Sequence, residues 1–338
     1  MSVDFVKVGP EAAELMAATR PKVWATTYRG IYPDEKIDNY DLAFYTARDR
    51  QRMEDPAQTF VLAMDGQQCV GYFHYGPPHI PPHRDFVLCL NSLYFLEEYR
   101  GQGLGRRVFD HLRQVCRERG LDKFFCQCNC HNLPAQRFYE NMGGLLTVVD
   151  DGHPGKDDDQ LTYEFYLSPR SDSTLRLRRA VPGDGMRIAQ TRQKCWDATY
   201  RGVYPDEAID AFDYDWHAER DERRIARPDF YEYMVLDGTD CVGYCSYGAA
   251  PGRYKDFSFV LMSLYLLPEY QGRGLGGAIF RSICRQARAL GFDRLYWECS
   301  SHNPRAMEVY RHLGAVIGAT DGGHDNPQED TCYFEFYL

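Results

Sequence analysis

Tyr94-Phe95-Leu96-Glu97-Glu98-Tyr99-Arg100-Gly101-Gln102-Gly103-Leu104-Gly105 reads as the end of a strand, a glycine turn and the start of a helix. The chain says it again: Tyr265-Leu266-Leu267-Pro268-Glu269-Tyr270-Gln271-Gly272-Arg273-Gly274-Leu275-Gly276. The offset is 271 − 100 = 171 residues, half of a 338-residue chain. The protein is a duplication, and each half carries one glycine loop between a strand and a helix.

The repeat extends in both directions. Upstream, Trp24 to Glu35 (WATTYRGIYPDE) returns as Trp196 to Glu207 (WDATYRGVYPDE). Gly-x-Tyr-Pro-Asp is turn chemistry, so this block is a helix end plus a loop, with aromatics that line a pocket or anchor the loop. Asp65-Gly66 and Asp237-Gly238 sit between apolar runs and mark hairpins. A proline-rich loop (Pro77, Pro78, Pro81, Pro82) leads to the central strand, Phe86 to Leu96, copied as Phe257 to Leu267. Both runs are apolar without clean alternation, as in strands covered on both faces.

Downstream, Leu104, Val108, Leu112 and Val115 recur at helical spacing until Gly120; Leu275, Ile279, Ile283 and Ala287 do so until Gly291. A strand follows, Lys123 to Cys130 or Arg294 to Cys299, then a short helix opened by Asn132 or Asn303 with a proline beside it. Each half closes with two strands around an acidic loop. The order per half is β-α-β-β-β-α-β-α-β-β, an α/β arrangement on a mixed sheet whose strand–glycine turn–helix–strand unit is its parallel crossover. Residues 1–167 form one expected domain, 168–174 a polar linker, and 175–338 the other.

The bulk numbers bound the function. A net charge of −10 argues against nucleic-acid or anionic-membrane partners. Residues 1–20 hold no apolar leader segment, and the apolar run 257–267 is too short to span a bilayer. Twelve cysteines then point to reduced thiols in a cytoplasm. Cys126, Cys128 and Cys130 alternate along a strand, as small buried residues do, rather than forming the paired spacing of zinc ligands, and no metal is expected.

A glycine turn at a helix N-terminus presents backbone N–H groups to phosphate oxygens. A nucleoside-triphosphate loop needs a Lys-Ser/Thr pair that neither copy has. Gly272, Gly274 and Gly277 fit a dinucleotide fingerprint, but the first copy lacks the third glycine and no acidic residue ends the next strand. A tight helix–strand connection that binds no ligand is one remaining reading, and acyl-coenzyme A is the third ligand class. The pattern [RQ]-x-x-G-x-[GA], met by Arg100, Gly103 and Gly105 and by Gln271, Gly274 and Gly276, resembles that of the GCN5-related N-acetyltransferases (GNAT). So does Asn-x-x-Ala-x-x-x-Tyr, at Asn132, Ala135 and Tyr139 and at Asn303, Ala306 and Tyr310. The resemblance covers essentially the whole chain, twice.

It implies two tandem GNAT-like domains, each a mixed, mostly antiparallel sheet with a central pair of splayed parallel strands and flanking helices. It implies transfer of an acetyl group from acetyl-CoA, or another short acyl-CoA, to a primary amine of a small molecule by direct attack. Tyr94–Phe95 and Tyr265–Leu266 would supply backbone bonds to pantetheine and the thioester. Arg100, Gly101, Gln102, Gly103, Gly105 and Arg106, with Gln271, Gly272, Arg273, Gly274 and Gly276, would hold the pyrophosphate. Asn132 and Asn303 would border the cofactor, Tyr28 and Tyr200 the acceptor amine, and Tyr139 and Tyr310 would protonate the leaving thiolate. Many relatives place a basic glutamate on the central strand; the matching positions are Cys89 and Val260, so this chain departs from the pattern and its base is unassigned. The acidic loops, Asp157–Asp159 and Gln328–Asp330, and the recurrent His153 and His324 either border the acceptor or are solvated turns. Two alternatives stand: one half catalytic with the other a structural or acetyl-CoA-sensing module, or a protein-lysine acetyltransferase. Two fused copies also suggest a monomer in which the halves mimic a dimer.

Overall fold

The computed structural model describes residues 3–79, 83–326 and 328–338. Contacts divide the chain into two compact units, residues 1–167 and 168–338.

The first unit runs β1 (Asp4–Val8), α1 (Ala13–Tyr28), α2 (Asp34–Asp38), α3 (Leu42–Met53), β2 (Thr59–Asp65), β3 (Gln68–Gly76), β4 (Cys89–Phe95), α4 (Leu104–Glu118), β5 (Lys123–Asn129), α5 (Leu133–Asn141), β6 (Leu145–Asp150) and β7 (Gln160–Tyr166). The second repeats it as β8 (Arg176–Arg179), α6 (Gly185–Tyr200), α7 (Asp206–Asp210), α8 (Tyr214–Ile225), β9 (Phe230–Asp237), β10 (Asp240–Tyr254), β11 (Phe257–Leu266), α9 (Leu275–Ala289), β12 (Arg294–Ser300), α10 (Pro304–His312), β13 (Val316–Asp321) and β14 (Thr331–Tyr337). Each builds one seven-stranded sheet, ordered β1-β2-β3-β4-β5-β7-β6 and β8-β9-β10-β11-β12-β14-β13. Among the strands of the described residues, only β4–β5 and β11–β12 pair in parallel. The α/β mixed-sheet architecture expected from the sequence is the one observed.

The sequence reading lacked two helices per unit. After the Gly-x-Tyr-Pro-Asp turn the chain does not go straight to a strand; it forms α2 and α3, or α7 and α8. Their faces are mostly charged, so periodicity did not announce them. Capping does: Asp41 accepts from the Phe44 N–H and Asp213 from the Trp216 N–H. What fixes α3 is one buried ion pair. Arg20 of α1 meets Asp49 of α3 at 2.7 Å, with Asp49 1% exposed, and its Nε donates to the Tyr72 hydroxyl. Arg192, Asp221 and Tyr244 repeat this in the second unit. Removing one partner strands a buried charge, so Asp49→Ala should cost the first unit about 3–5 kcal/mol in denaturant unfolding; a loss below about 1 kcal/mol would show that solvent already reaches the pair.

The expected central strands are shorter than read: β4 begins at Cys89, not Phe86, and β11 ends at Leu266. The proline-rich loop before β4 is only partly described; Pro81 and Pro82 lie outside the described residues, as does Ile80. In the second unit, where those prolines are missing, β10 continues to Tyr254 and pairs it with Phe257. Within residues 168–174, read as a polar linker, side chains are hydrogen-bonded into the second unit. Ser168, Ser171 and Ser173 donate hydroxyl hydrogen bonds to the Asp237 carboxylate, which also accepts from Tyr270. Burial opposes charge on Asp237, but these four donors hold its carboxyl below the usual range.

Helices α4 and α9 dock by an apolar stripe. Leu104, Val108, Phe109, Leu112, Val115 and Cys116 are buried in the first unit, and Leu275, Ala278, Ile279, Phe280, Ile283, Cys284 and Ala287 in the second. At roughly 1.5–3 kcal/mol per large side chain, this burial fixes the helix against the sheet and so aims its N-terminus.

Candidate active site

The parallel strands part almost as soon as they meet. β4 pairs with β5 only at Cys89–Phe125 and Leu90–Cys126, and β11 with β12 only at Val260–Tyr296. A β-bulge bends each central strand at that point: Asn91 is the extra residue in β4, Met262 in β11. The effect is visible in burial. Cys89 and Leu90 are buried, whereas Asn91 to Tyr94 are half-exposed in the middle of a sheet; Ser263 to Tyr265 repeat this. A central strand can be open along one edge only where its neighbour has turned away, and that leaves backbone polar groups unpaired by a strand.

The glycine loop closes the far end of this cleft. Gly101 and Gly103 have φ of +74° and +81°, and Gly272 and Gly274 have +74° and +87°. Gly103 and Gly274 are the N-caps of α4 and α9, and neither helix start has a side-chain cap. The first-turn N–H groups therefore point outward at the positive end of a helix dipole. A Cβ added at Gly101, Gly103 or Gly272 would meet no atom within 4 Å. The cradle is open, lined by backbone and fit for an anion of pyrophosphate size.

The other loop residues serve the cradle rather than line it. Arg100, expected at the pyrophosphate, donates from Nε to the Phe95 carbonyl at 3.1 Å and from Nη2 to Thr26 and Thr27 at 2.8 and 2.9 Å. Gln271 donates to the Leu266 carbonyl at 2.7 Å. The [RQ] position thus ties the loop to the strand end, and its side chain points away from the cradle. Gln102 bonds the Glu98 carbonyl inside the loop. Gly105 is a packing glycine: a Cβ there would stand 2.7 Å from the Phe138 ring. Gly276 has only ordinary contact with Leu266. Arg106 is exposed on the first turn of α4 and Arg273 half-exposed in its loop. Asn132 and Asn303 accept the N–H groups of Ala135 and Ala306, so both are helix caps.

Tyr139 and Tyr310 project from these capped helices. Tyr139 is buried among Phe109, Phe138, Tyr163 and Phe165, beside the Cys126 thiol. Burial, then the neighbouring Cys126, Cys128 and Tyr94, push its hydroxyl well above the usual tyrosine range. Burial does the same for Tyr310, helped by Cys299 and Tyr200. Both stay protonated at neutral pH and keep a proton to donate. Tyr139 also lies within electrostatic reach of Tyr28 and Tyr94, so the expected acid, strand and acceptor-side residues do converge.

Tyr28 and Tyr200 are anchors. Each is buried, with its hydroxyl on that of Tyr94 (2.7 Å) or Tyr265 (3.0 Å). Stacked on them at 4.1 and 4.6 Å are Tyr32 and Tyr204, which are half-exposed and offer the accessible ring. In the first unit the Lys36 ammonium sits 4.7 Å over the Tyr32 ring and 2.8 Å from Asp157 of the acidic loop. The rest of that loop is pinned. Asp159 accepts from the His153 N–H and faces the His131 and His153 rings at 3.0 Å, and these bonds hold its carboxyl below the usual range. Asp330 repeats this with the His302 ring and the His324 N–H.

Sequence reasoning missed the side chains behind the bulge. Ser92 of β4 bonds His74 of β3 at 2.6 Å, and His74 bonds His79 at 2.9 Å. Ser263 and Ser246 hold the corresponding places at 2.5 Å, with Glu232 of β9 opposite Ser246. The signal was available: Tyr72 and His74 alternate onto one face, and His74 is where the two copies differ. Among the described residues no cluster of ligands fit for a metal ion is found, and no helix is long and apolar enough to cross a membrane.

Comparison with known proteins bears directly on this geometry. The bovine thialysine N-epsilon-acetyltransferase is 33% identical over 105 residues, 28% of this chain and 62% of that protein. The N-alpha-acetyltransferase RimI of Mycobacterium tuberculosis is 28% identical over 99 residues, 29% of this chain and 60% of that protein. The chain thus spans about three fifths of the length of these curated relatives. Among solved structures, the PaiA N-acetyltransferase of Thermoplasma acidophilum in complex with coenzyme A superposes with a TM-score of 0.42 at 18% identity, over 48% of this chain and 99% of that one. The acetyltransferase (GNAT) family matches twice, at residues 23–144 and 191–315, each match holding one cleft and one glycine cradle, and the chain belongs to that family.

Proposed function

We propose that the protein transfers an acetyl group from acetyl-CoA to a primary amine of a small molecule. The observation that carries this is the doubled cradle: an uncapped helix N-terminus with positive-φ glycines, set at the end of a cleft between splayed parallel strands. Acyl-coenzyme A, when bound, supplies an activated thioester. The protein's part is positioning and proton handling. First-turn N–H groups of α4 and α9 hold the diphosphate, the open edges of β4 and β11 offer donors and acceptors to an extended chain, and Tyr139 and Tyr310 hold a proton for a leaving thiolate.

A primary ammonium as acceptor is supported by Lys36, whose own ammonium is seated on the Tyr32 ring and Asp157. The bovine relative acts, by its name, on the ε-amine of thialysine. A free amine is therefore preferred over a protein lysine. Unequal roles for the halves are favoured by one observation: the first unit places His74 behind the bulge where the second has Ser246.

Native mass spectrometry with acetyl-CoA, followed by an amine panel, tests the reading. Two cofactors should bind each monomeric chain, and an amine of lysine or polyamine type should gain one acetyl group. No binding well above the micromolar range would overturn the proposal.

A further inference from the structure

The proposed reaction needs the acceptor amine without its proton, and neither central strand carries a carboxylate where one would be expected: Cys89 and Val260 stand there, both buried. An alkylammonium gives up a proton at pH 7 only at a cost on the order of 4 kcal/mol, so a route for that proton is required. The first unit contains a chain of hydrogen bonds leading out of the cleft. Ser92 is half-exposed on the open part of β4, next to the Asn91 bulge. Its Oγ lies 2.6 Å from His74 Nδ1, and His74 Nε2 lies 2.9 Å from His79 Nε2. His74 is 6% exposed and bonded at both ring nitrogens, whereas His79 is exposed in the loop after β3.

We infer that Ser92, His74 and His79 form a proton exit from the acceptor site of the first unit, and that the second unit lacks it. The inference rests on the acetyltransferase reading. With an ammonium N–H on Ser92 Oγ, that N–H bond breaks and its proton goes to Oγ. The former Ser92 proton moves to His74 Nδ1, and the His74 Nε2 proton moves to His79 Nε2. The amine keeps its lone pair for attack on the thioester carbonyl, Ser92 is again a hydroxyl, and His74 is neutral with its tautomer reversed. His79 is cationic and releases its proton to solvent. No electron changes hands and no further reactant is needed.

The surroundings keep the wire empty of charge. Phe60 of β2 stacks on the His74 ring at 4.5 Å, and burial together with His79, Arg52 and Arg48 of α3 and Arg20 of α1 pushes His74 well below the usual histidine range. Burial, then Arg52 and Arg48, lower His79, with Asp55 opposing. Both rings therefore rest uncharged at neutral pH, ready to pass a proton. In the second unit Ser263 leads to Ser246 and no further: residues 247–262 contain no histidine. Glu232 faces Ser246 with neither carboxylate oxygen hydrogen-bonded among the described residues, 3.8 Å from Arg192.

The test uses the full-length chain with its second cradle closed by Gly274→Val. It compares an alkylamine with an arylamine that is already neutral at pH 7. His74→Phe and Ser92→Ala should each lower kcat/KM for the alkylamine about 100-fold and for the arylamine less than about 3-fold. His79→Phe, at the outer end, gives the same selective loss and carries the test should His74→Phe fail to fold. Equal loss with both amines would reduce these residues to structural supports, and no loss would remove them from the reaction; either overturns the relay. Acetyl-CoA binding is measured on the same chains. A parent chain that binds none would bring down the acetyltransferase reading, and the relay with it, whereas a parent that binds and acetylates while the variants lose both amines alike brings down the relay alone.

Discussion

Gly103→Val should remove one of two acetyl-CoA equivalents from the chain, and Gly274→Val the other. Both glycines cap a helix at φ above +80°, where a side chain costs roughly 1–2 kcal/mol. That strain alone would weaken the loop, not abolish binding. The larger effect is steric. A Cβ at Gly103 enters space that no protein atom occupies within 4 Å, the space assigned to the diphosphate, and Gly274 caps α9 in the same left-handed conformation. The branched valine also covers the first-turn N–H groups. Each variant should weaken its own site by at least about 100-fold, on the order of 2.7 kcal/mol, while the other site keeps its affinity. Both glycines are exposed and outside the core, so the thermal midpoint should stay nearly constant. Calorimetric titration gives stoichiometry and affinity together. Undiminished binding of two equivalents by Gly103→Val would place the cofactor elsewhere.

The second large effect is expected at the tyrosines. Tyr139→Phe and Tyr310→Phe each remove only a hydroxyl from a packed ring, so the aromatic cluster around Tyr139 and the Trp297–Tyr310 contact should survive. With both changed, kcat should fall about 100-fold, the lower end for loss of a positioned acid, with acetyl-CoA affinity altered less than about 3-fold. Single variants then apportion the activity. If the halves contribute equally, each single change halves the rate. If one half carries the reaction, one change reproduces nearly the full loss and the other has none. A kcat unchanged in the double variant would leave both residues as core aromatics. The hydroxyls are held above the usual tyrosine range, so neither should deprotonate below pH 10 and no basic limb should arise from them.

Duplication, the strand–glycine turn–helix unit and the positions of both cradles were legible because each rests on local chemistry. Glycine alone takes positive φ without cost, and apolar spacing of three and four residues marks the buried face of α4 and α9. The same holds for Asn132 and Asn303, whose capping role is set within four residues.

What the sequence could not decide were pairings between distant segments. Arg20 and Asp49 are both charged and look solvent-facing until α3 folds back on α1 and buries them together. Arg100 fits a cofactor-binding pattern, yet its guanidinium is turned toward Phe95, Thr26 and Thr27 by the meeting of the β4 end with α1. Tyr28 and Tyr32 are equivalent in the one-dimensional pattern; only stacking shows which ring is buried and which is offered to a ligand. Ser92, His74 and His79 became one chain only through the register of β3 with β4 and the Asn91 bulge. Local backbone preference wrote the cradle into the sequence, and strand register, which depends on the whole sheet, decided which side chains face it.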